Sequence, residues 1–257
     1  MHPKTQLFTA LLAVLTTDAC NGLIWPVGAP DLPADAPGPL RQVGTIRYSF
    51  LKVLGGSCVL LSDRHALTAA HGVRKWSAAQ LSLRFPHFTK KQDHRIERIT
   101  LHPRVDLALI TLKNAIPNLP PLASMGTSPP RPGTKVILGG FGLSGPLNQP
   151  RPPGTFHRGE NQIIKLFQDR LILRTPAQTS AEKTNFAAAA KMDSGSPLFL
   201  KKNDNYQLVG LALTSNYHLT KANPVRNTYL DLSKYQKWIN SQSKEKTARP
   251  KDSQARP

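Results

Sequence analysis

Short runs in which apolar and polar residues alternate recur along most of the chain, with Gly, Pro, Asn and Asp between them. Alternation with a period of two is typical of β-strands that bury one face, and many such runs at close spacing favour a β-sandwich or β-barrel. A proline-rich passage at 116–133 divides the runs into two sets. The runs are VGTIRYSFLKVL, GSCVLLS, HALTAAH, QLSLRF, RIERITLH and DLALITL before this passage, and KVILGGFG, QIIKLFQDRLILR, SPLFLK, YQLVGLALTS and NTYLDL after it. The pattern therefore predicts an all-β protein of two lobes.

One segment near the C-terminus has helical rather than strand periodicity. Four apolar residues fall on one face of a helix: Leu232, Tyr235, Trp238 and Ile239. Asp231 and Ser233, at the start of this segment, are suitable N-cap residues. We expect an α-helix over 231–242 that packs this face on a lobe. The segment 243–257 is basic and lacks apolar periodicity, which predicts a disordered tail.

The N-terminus, MHPKTQLFTALLAVLTTDAC, has a lysine followed by an apolar stretch that is too short to span a bilayer, and small residues come next. This pattern predicts an export signal over 1–19. It resembles a bacterial lipoprotein signal, in which lipid would be attached to Cys20 and anchor the protein to a membrane. Ordinary secretion or a periplasmic location is the alternative. A proline-rich arm, 20–41, follows.

The chain is strongly basic, with 34 Lys and Arg against 15 Asp and Glu, a net charge of +19. Such a field attracts anionic surfaces non-specifically. The positive charges are spread out, and we find no recognition helix, zinc-finger spacing or aromatic RNA-binding motif, so specific nucleic-acid binding is not expected. Two cysteines are too few for a disulfide framework. If Cys20 is lipidated, Cys58 is a small buried hydrophobe; a disulfide between them is the alternative.

Three reactive side chains occur in suggestive contexts: His71 in LTAAH, Asp106 at the start of DLALITL, and Ser194 in KMDSGSPLFL. A serine hydroxyl is a weak nucleophile, so it needs a base that accepts its proton and an acid that orients that base. Each residue alone has an ordinary structural explanation, since Asp, Ser and Gly are common in turns. The three contexts together favour nucleophilic catalysis.

These motifs resemble those of the chymotrypsin-like, or trypsin-like, serine peptidases. MDSGSP matches the family's Gly-Asp-Ser-Gly-Gly-Pro, and the other matches are LTAAH, DLALITL, GGS, PPRPGTKVILGGFG, LVG and YQKWI. The similarity covers roughly 42–241. It implies an exported bacterial member with two six-stranded antiparallel β-barrels, a cleft between them and a C-terminal α-helix.

By this resemblance, His71 acts as general base and then general acid, Asp106 orients it, and Ser194 attacks the scissile carbonyl. The backbone N–H groups of Met192 and Ser194 would form the oxyanion hole. No metal and no cofactor are expected. The substrate would be a protein or peptide.

Two residues of the serine motif raise questions. Met192 stands where the family has glycine, which reaches unusual backbone conformations more easily, so catalysis is expected to suffer. In relatives made as zymogens, the residue corresponding to Asp193 pairs with a new N-terminus released by cleavage. Arg41 in RQVGT and Ile24 in GLIWPVG are two candidate positions, and a lysine or arginine elsewhere is a third option.

Specificity is predicted from residues close to Ser194. By the resemblance, Ala188 forms the floor of the primary substrate pocket, and with no acid there a small or apolar residue is expected before the scissile bond. Lys191 would favour an acidic residue nearby.

We therefore expect an exported serine endopeptidase. The first alternative is a catalytically impaired homologue that serves as a binding module in the cell envelope. The second is a basic envelope lipoprotein with a structural or adhesive role. The expected organisation is a signal (1–19), an arm (20–41), a first lobe with His71 and Asp106 (42–120), a second lobe with Ser194 (121–230), a helix (231–242) and a tail (243–257).

Overall fold

The structure is a computed structural model of the chain. It describes residues 23–26, 30–51, 53–89, 92–119, 121–146, 151–174, 186–203, 205–216 and 226–244. The predicted signal, Cys20 and the tail from residue 245 onward lie outside the described residues.

The described residues are mostly in strands. The strands are, in chain order, β1 (Ile24–Trp25), β2 (Val43–Tyr48), β3 (Leu54–Leu60), β4 (His65–Thr68), β5 (Leu81–Arg84), β6 (Asp93–Leu101), β7 (Ala108–Leu112), β8 (Ser124–Met125), β9 (Lys135–Gly140), β10 (Gly145–Pro146), β11 (His157–Phe167), β12 (Arg170–Leu173), β13 (Pro197–Lys202), β14 (Asn205–Asn216) and β15 (Arg226–Asp231). The helical segments are the 3-10 turns Gly38–Gln42, Ala70–Gly72, Ala78–Gln80 and Leu232–Tyr235, the short α-helix Pro86–Thr89 and the C-terminal α-helix Gln236–Lys244.

The first lobe is a closed barrel of six antiparallel strands in the order β2-β3-β4-β7-β6-β5, in which β5 pairs back with β2. Inward-facing side chains fill it, and Leu60, Leu83 and Ile110 among them are fully buried. Closure leaves no unpaired strand edge in the barrel.

The second lobe closes in the same way, in the order β13-β9-β11-β12-β15-β14, because β13 also pairs with β14. The short strand β8 adds to β14 in parallel. The prediction of an all-β fold with two six-stranded antiparallel barrels is therefore confirmed.

A hydrophobic cluster joins the two barrels and the helix. It includes Leu109 of β7, Phe199 of β13 and Leu208 of β14, all fully buried. Leu40 of the arm and Ile239 of the C-terminal helix pack into the same cluster. Because burial of apolar area is the main stabilising term in folding, this cluster positions the barrels against one another.

The C-terminal helical segment has the predicted cap and apolar face. Asp231 Oδ1 accepts a hydrogen bond from the Ser233 backbone N–H at 3.0 Å, and Leu232 is fully buried. The segment begins as a 3-10 turn, and its α-helical part ends at Lys244, two residues beyond the predicted end. No helix within the described ranges is both long and apolar enough to cross a membrane.

The proline-rich arm lies along the second barrel. Trp25 is fully buried, the Arg158 backbone N–H donates to Pro33 O at 2.9 Å, and Asp31 forms a two-point ion pair with Arg151 at 2.7 and 3.0 Å. Exposed ion pairs contribute little free energy, so the buried apolar side chains hold the arm in place.

Cys58 lies in β3 as a free, fully buried thiol. Burial raises its pKa far above the ordinary value, so the sulfur stays protonated. The thiol behaves as a small hydrophobe and forms no disulfide with a described residue; Cys20, its partner in the alternative disulfide, lies outside the described residues.

Candidate active site

His71 and Asp106 meet at one end of the first barrel. β4 ends at Thr68 and β7 begins at Ala108, and these two residues are paired in antiparallel strands. The segments that follow Thr68 and precede Ala108 therefore leave the barrel at the same end. His71 Nδ1 lies 2.7 Å from Asp106 Oδ2, and the His71 backbone N–H donates to Asp106 Oδ1, also at 2.7 Å. One carboxylate thus holds both the ring and the backbone of the histidine.

Asp106 is held in its ionised form. Burial acts to raise its pKa, but the hydrogen bonds and charge of His71, together with Arg74, outweigh this effect and lower the pKa below its ordinary value. Arg74 Nη2 lies 3.7 Å from Asp106 Oδ1. An ionised carboxylate only accepts hydrogen bonds, so Nδ1 of His71 must be the protonated ring nitrogen. This leaves Nε2 of the neutral ring free to accept a proton.

The loop that carries Ser194 comes from the second barrel but is bound by the first. The Ser57 backbone N–H donates to Ser194 O at 3.0 Å, and Ser57 Oγ donates to Met192 O at 3.0 Å. Gly195 packs so tightly that a Cβ there would collide with Ser57 O and Thr68 Oγ1. The serine loop therefore abuts the strand end that leads to His71.

The Ser194 hydroxyl itself donates to the backbone carbonyl of Leu213 at 3.0 Å. Ser194 and His71 are both described residues, and no hydrogen bond joins their side chains. The sequence predicted one continuous relay of three side chains; the structure forms its His71–Asp106 part, and Ser194 Oγ must turn away from Leu213 to complete it. Catalytic hydrogen bonds are often incomplete before substrate binds.

Two backbone N–H groups of the serine loop have no hydrogen-bond acceptor among the described residues. The N–H groups of Asp193, Gly195 and Ser196 donate to carbonyls within the loop and β14. Those of Met192 and Ser194 have no acceptor within the described part of the chain. These are the two donors that the resemblance assigns to an oxyanion hole.

A family model described as a trypsin-like peptidase domain matches residues 56–211, which is more than half of the 257-residue chain. The matched region contains His71, Asp106 and Ser194. The chain belongs to the trypsin-like peptidase domain family. It has a serine peptidase fold, and members of a peptidase family act on proteins or peptides. A search of curated proteins found no match.

In this trypsin-like peptidase domain, Met192 has a φ of 73°, in the left-handed region that favours glycine. A residue with a side chain costs about 1 kcal/mol in this conformation. The hydrogen bond from Ser57 Oγ to Met192 O helps to hold the backbone there. The free N–H at Met192 is thus maintained in spite of the side chain, at a cost in stability.

We expect Met192→Gly to raise the free energy of unfolding by about 1 kcal/mol, because the backbone strain is removed. Urea unfolding monitored by fluorescence measures this. Asn203→Gly is the matched control: Asn203 also has a positive φ, of 55°, but asparagine tolerates this conformation, so its gain should be smaller. A loss of stability in Met192→Gly would contradict the strain interpretation.

Asp193, the residue after Met192, is fully buried, and no described residue places a cation beside it. Its Oδ1 accepts from the Gly142 N–H at 2.9 Å, and its Oδ2 accepts from the Ala190 N–H at 3.1 Å. Burial raises its pKa to about 7, against the lowering effect of these two hydrogen bonds. Tyr229 beside it is also buried, and its hydroxyl has no hydrogen-bond partner.

The cations considered for Asp193 in the sequence do not reach it. The Ile24 backbone N–H donates to Ala188 O at 2.9 Å in a β-bridge, so an amino group at Ile24 would face that carbonyl. Gln42, which would become the new N-terminus after cleavage at Arg41, ends the 3-10 turn Gly38–Gln42, and its Oε1 accepts from the Ala123 N–H at 2.9 Å. Among the described residues no ion pair to Asp193 is formed.

A small cavity lies beside Ser194, with a volume of about 10 Å³, roughly the room that one water molecule needs. It is lined by Ala189, Ala190, Ser194, Ala212, Leu213, Asn227 and Thr228. Ala188, expected at the pocket floor, is not among the residues that line this cavity, and its backbone N–H and carbonyl pair with Ile24. Lys191 is half-buried and also lies outside the cavity wall.

Three residues of the site were given no individual function in the sequence interpretation. Ser57 was part of the GGS match, but only the structure reveals its two hydrogen bonds to the serine loop. Leu213 acts through its backbone carbonyl, which leaves no sequence signal. Asn227 occupies an ordinary polar position of the NTYLDL strand, and its unpaired amide group becomes visible only in the folded barrel.

Proposed function

We propose that the protein is a serine endopeptidase that hydrolyses peptide bonds with His71, Asp106 and Ser194 through an acyl-enzyme intermediate. The observation that carries this proposal is the two-point contact of His71 with Asp106, both at 2.7 Å, at the barrel end against which the Ser194 loop packs. Such a contact fixes the imidazole in the tautomer that a general base requires.

The geometry supports the following steps. Ser194 Oγ turns from Leu213 O, transfers its proton to His71 Nε2 and attacks the carbonyl carbon of the substrate. The oxyanion binds the free N–H groups of Met192 and Ser194, and Asp106 stabilises the imidazolium. His71 gives the proton to the leaving amine, and the acyl-enzyme forms. Water, deprotonated by His71, then hydrolyses the ester and releases the acid.

Labelling with a fluorophosphonate probe tests this proposal. The probe should phosphonylate Ser194, detected by mass spectrometry of the labelled peptide, and His71→Ala should abolish labelling because the base is lost. Ser241→Ala, at an exposed serine of the C-terminal helix, should label like the parent protein. Equal labelling of the parent and of Ser194→Ala would contradict the proposal.

The second candidate function is a binding module with impaired catalysis. It is favoured by the hydrogen bond from Ser194 Oγ to Leu213 O and by the uncompensated burial of Asp193. Failure of the probe to label both the full-length protein and a protein trimmed to start at Leu23 would support this candidate over the peptidase.

We also propose that the protein is exported to the bacterial envelope and anchored by lipid at Cys20. The mature protein should then begin at a diacylglyceryl-modified Cys20, measured by intact mass and N-terminal peptide analysis, and should fractionate with membranes. Cys20→Ser should move it to the soluble fraction. A mature protein with an unmodified Cys20 would remove the anchor and leave secretion or a periplasmic location.

A further inference from the structure

Asn227 is a buried amide that uses only part of its hydrogen-bonding capacity. Asn227 is 1% exposed, and its Oδ1 accepts a hydrogen bond from the Ala189 backbone N–H at 3.1 Å. The Nδ2 group has no hydrogen-bond partner among the described residues. Because the Ala189 N–H can only donate, the oxygen of the amide must face it, and the NH₂ group is the free end. A buried donor without an acceptor is unfavourable and calls for an explanation.

A second buried asparagine in the same barrel differs from Asn227 in the hydrogen bonds of its amide group. Asn161 is also fully buried, but its Nδ2 donates to Arg174 O at 3.0 Å and to Ala187 O at 2.6 Å. The amide group of Asn161 is therefore satisfied within the fold. Asn227 lines the cavity at Ser194, and Asn161 does not.

The other walls of the cavity are mainly apolar. Ala189, Ala190, Ala212 and Leu213 line a space of about 10 Å³. Besides Asn227, the polar residues of the wall are Ser194 and Thr228. A group that enters this space from a peptide bound at Ser194 must be short, and it is favoured if it brings an oxygen acceptor for Nδ2 of Asn227.

We propose that Asn227 selects substrates with a short, oxygen-bearing side chain immediately before the scissile bond, such as the hydroxyl of threonine or the carboxylate of aspartate. This inference rests on the proposed peptidase function. It replaces the preference for small apolar residues that Ala188 suggested, because the cavity is lined by Asn227 and not by Ala188. Asn227 is thus a specificity-determining residue of the site.

The test uses peptide pairs that differ only in the residue before the scissile bond, threonine against valine, which have the same shape. We expect kcat/KM to be about tenfold higher for threonine, the effect of one additional hydrogen bond. Asn227→Leu should bring this ratio to about one, mainly through loss of the threonine substrate. A ratio within twofold of one in the parent enzyme overturns the proposal.

Two further variants complete the test. Asn227→Leu removes the acceptor of the Ala189 N–H and could therefore fail to fold. In that case Asn227→Asp is used, because it keeps this acceptor and replaces only the NH₂ group by a carboxylate oxygen. In Asn227→Asp, cleavage after aspartate should fall about 100-fold relative to cleavage after valine, because two carboxylates would meet. Thr228→Val is the control for the other polar side chain in the wall. If Thr228→Val removes the threonine preference and Asn227→Leu keeps it, the assignment to Asn227 is overturned.

Fluorophosphonate labelling of the same preparations separates this inference from the proposed function. A protein that is labelled at Ser194 and cleaves peptides with a threonine-to-valine ratio near one is a peptidase in which Asn227 does not read the substrate. A protein that is neither labelled nor able to cleave any peptide overturns both.

Discussion

Ser194→Ala should lower kcat/KM for peptide cleavage by about 10⁴- to 10⁶-fold, because the nucleophile that forms the acyl-enzyme is removed. The folded protein should tolerate the change, since Ser194 Oγ makes a single hydrogen bond, to Leu213 O. We expect the free energy of unfolding to change by about 1 kcal/mol or less. Cleavage of a fluorogenic peptide library and urea unfolding measure the two effects separately.

The partners of Ser194 should behave as one unit with it. His71→Ala should lose about as much activity as Ser194→Ala, and the double variant should lose no more than either alone, because each change disables the same proton transfer. Asp106→Asn should cost about 10⁴-fold, since it removes the acceptor that fixes the His71 tautomer. Ser241→Ala should retain full activity. Multiplicative losses in the double variant, or a loss below tenfold in Ser194→Ala, would show that these residues do not act together in catalysis.

The second large effect is on stability and comes from Asp193. Its pKa is raised to about 7 in the folded protein, against an ordinary value of 3.8 for an aspartate. Below about pH 4 the carboxyl is protonated in both states. As the pH rises through 4 to 7, the unfolded chain releases this proton and the folded chain keeps it, so the folded state loses stability. Over this range the loss from this residue should be about 4 kcal/mol.

Asp193→Asn isolates this contribution. The variant has a similar shape but no charge, so its free energy of unfolding relative to the parent protein should rise by about 4 kcal/mol between pH 4 and pH 8. Urea unfolding across this pH range measures the difference. Asp35→Asn, which changes an exposed carboxylate, should give no such trend. A difference between Asp193→Asn and the parent that does not vary with pH would contradict the uncompensated burial of Asp193.

The same measurement tests activation by cleavage, which the family resemblance suggests. The Ile24 N–H is already bonded to Ala188 O, so the residue before it, Leu23, is the better candidate for a new N-terminus. Leu23 is buried, and Ile24 packs against Ala190, whose N–H donates to Asp193. In a protein that begins at Leu23, an ion pair should lower the pKa of Asp193, and the loss of stability between pH 4 and 7 should disappear. If the loss persists in that protein, Leu23 does not supply the cation.

Most of the strands could be predicted because alternation of apolar residues is a local signal. The differences occur where this signal is weak. VGTIRYSFLKVL reads as one run, but it contains β2, a turn and the start of β3. QIIKLFQDRLILR is a hairpin that turns at Gln168, which has a φ of 56°. β11 begins at His157, within a polar stretch without strand periodicity, because its pairing with β9 satisfies the backbone.

Local patterns in the chain were enough to predict an all-β protein with two lobes and a capped C-terminal helix. They also placed the motifs of His71, Asp106 and Ser194 on three separate segments. These properties follow from local periodicity and from motifs of a few residues. The tertiary structure was needed to find that Ser194 Oγ faces Leu213 and that Asn227 lines the same cavity as the serine. It was also needed to find that, among the described residues, Asp193 has no cation beside it and Asn227 Nδ2 has no partner. Each of these depends on which atoms approach within hydrogen-bond distance after both barrels close, and residues far apart in the chain set those distances.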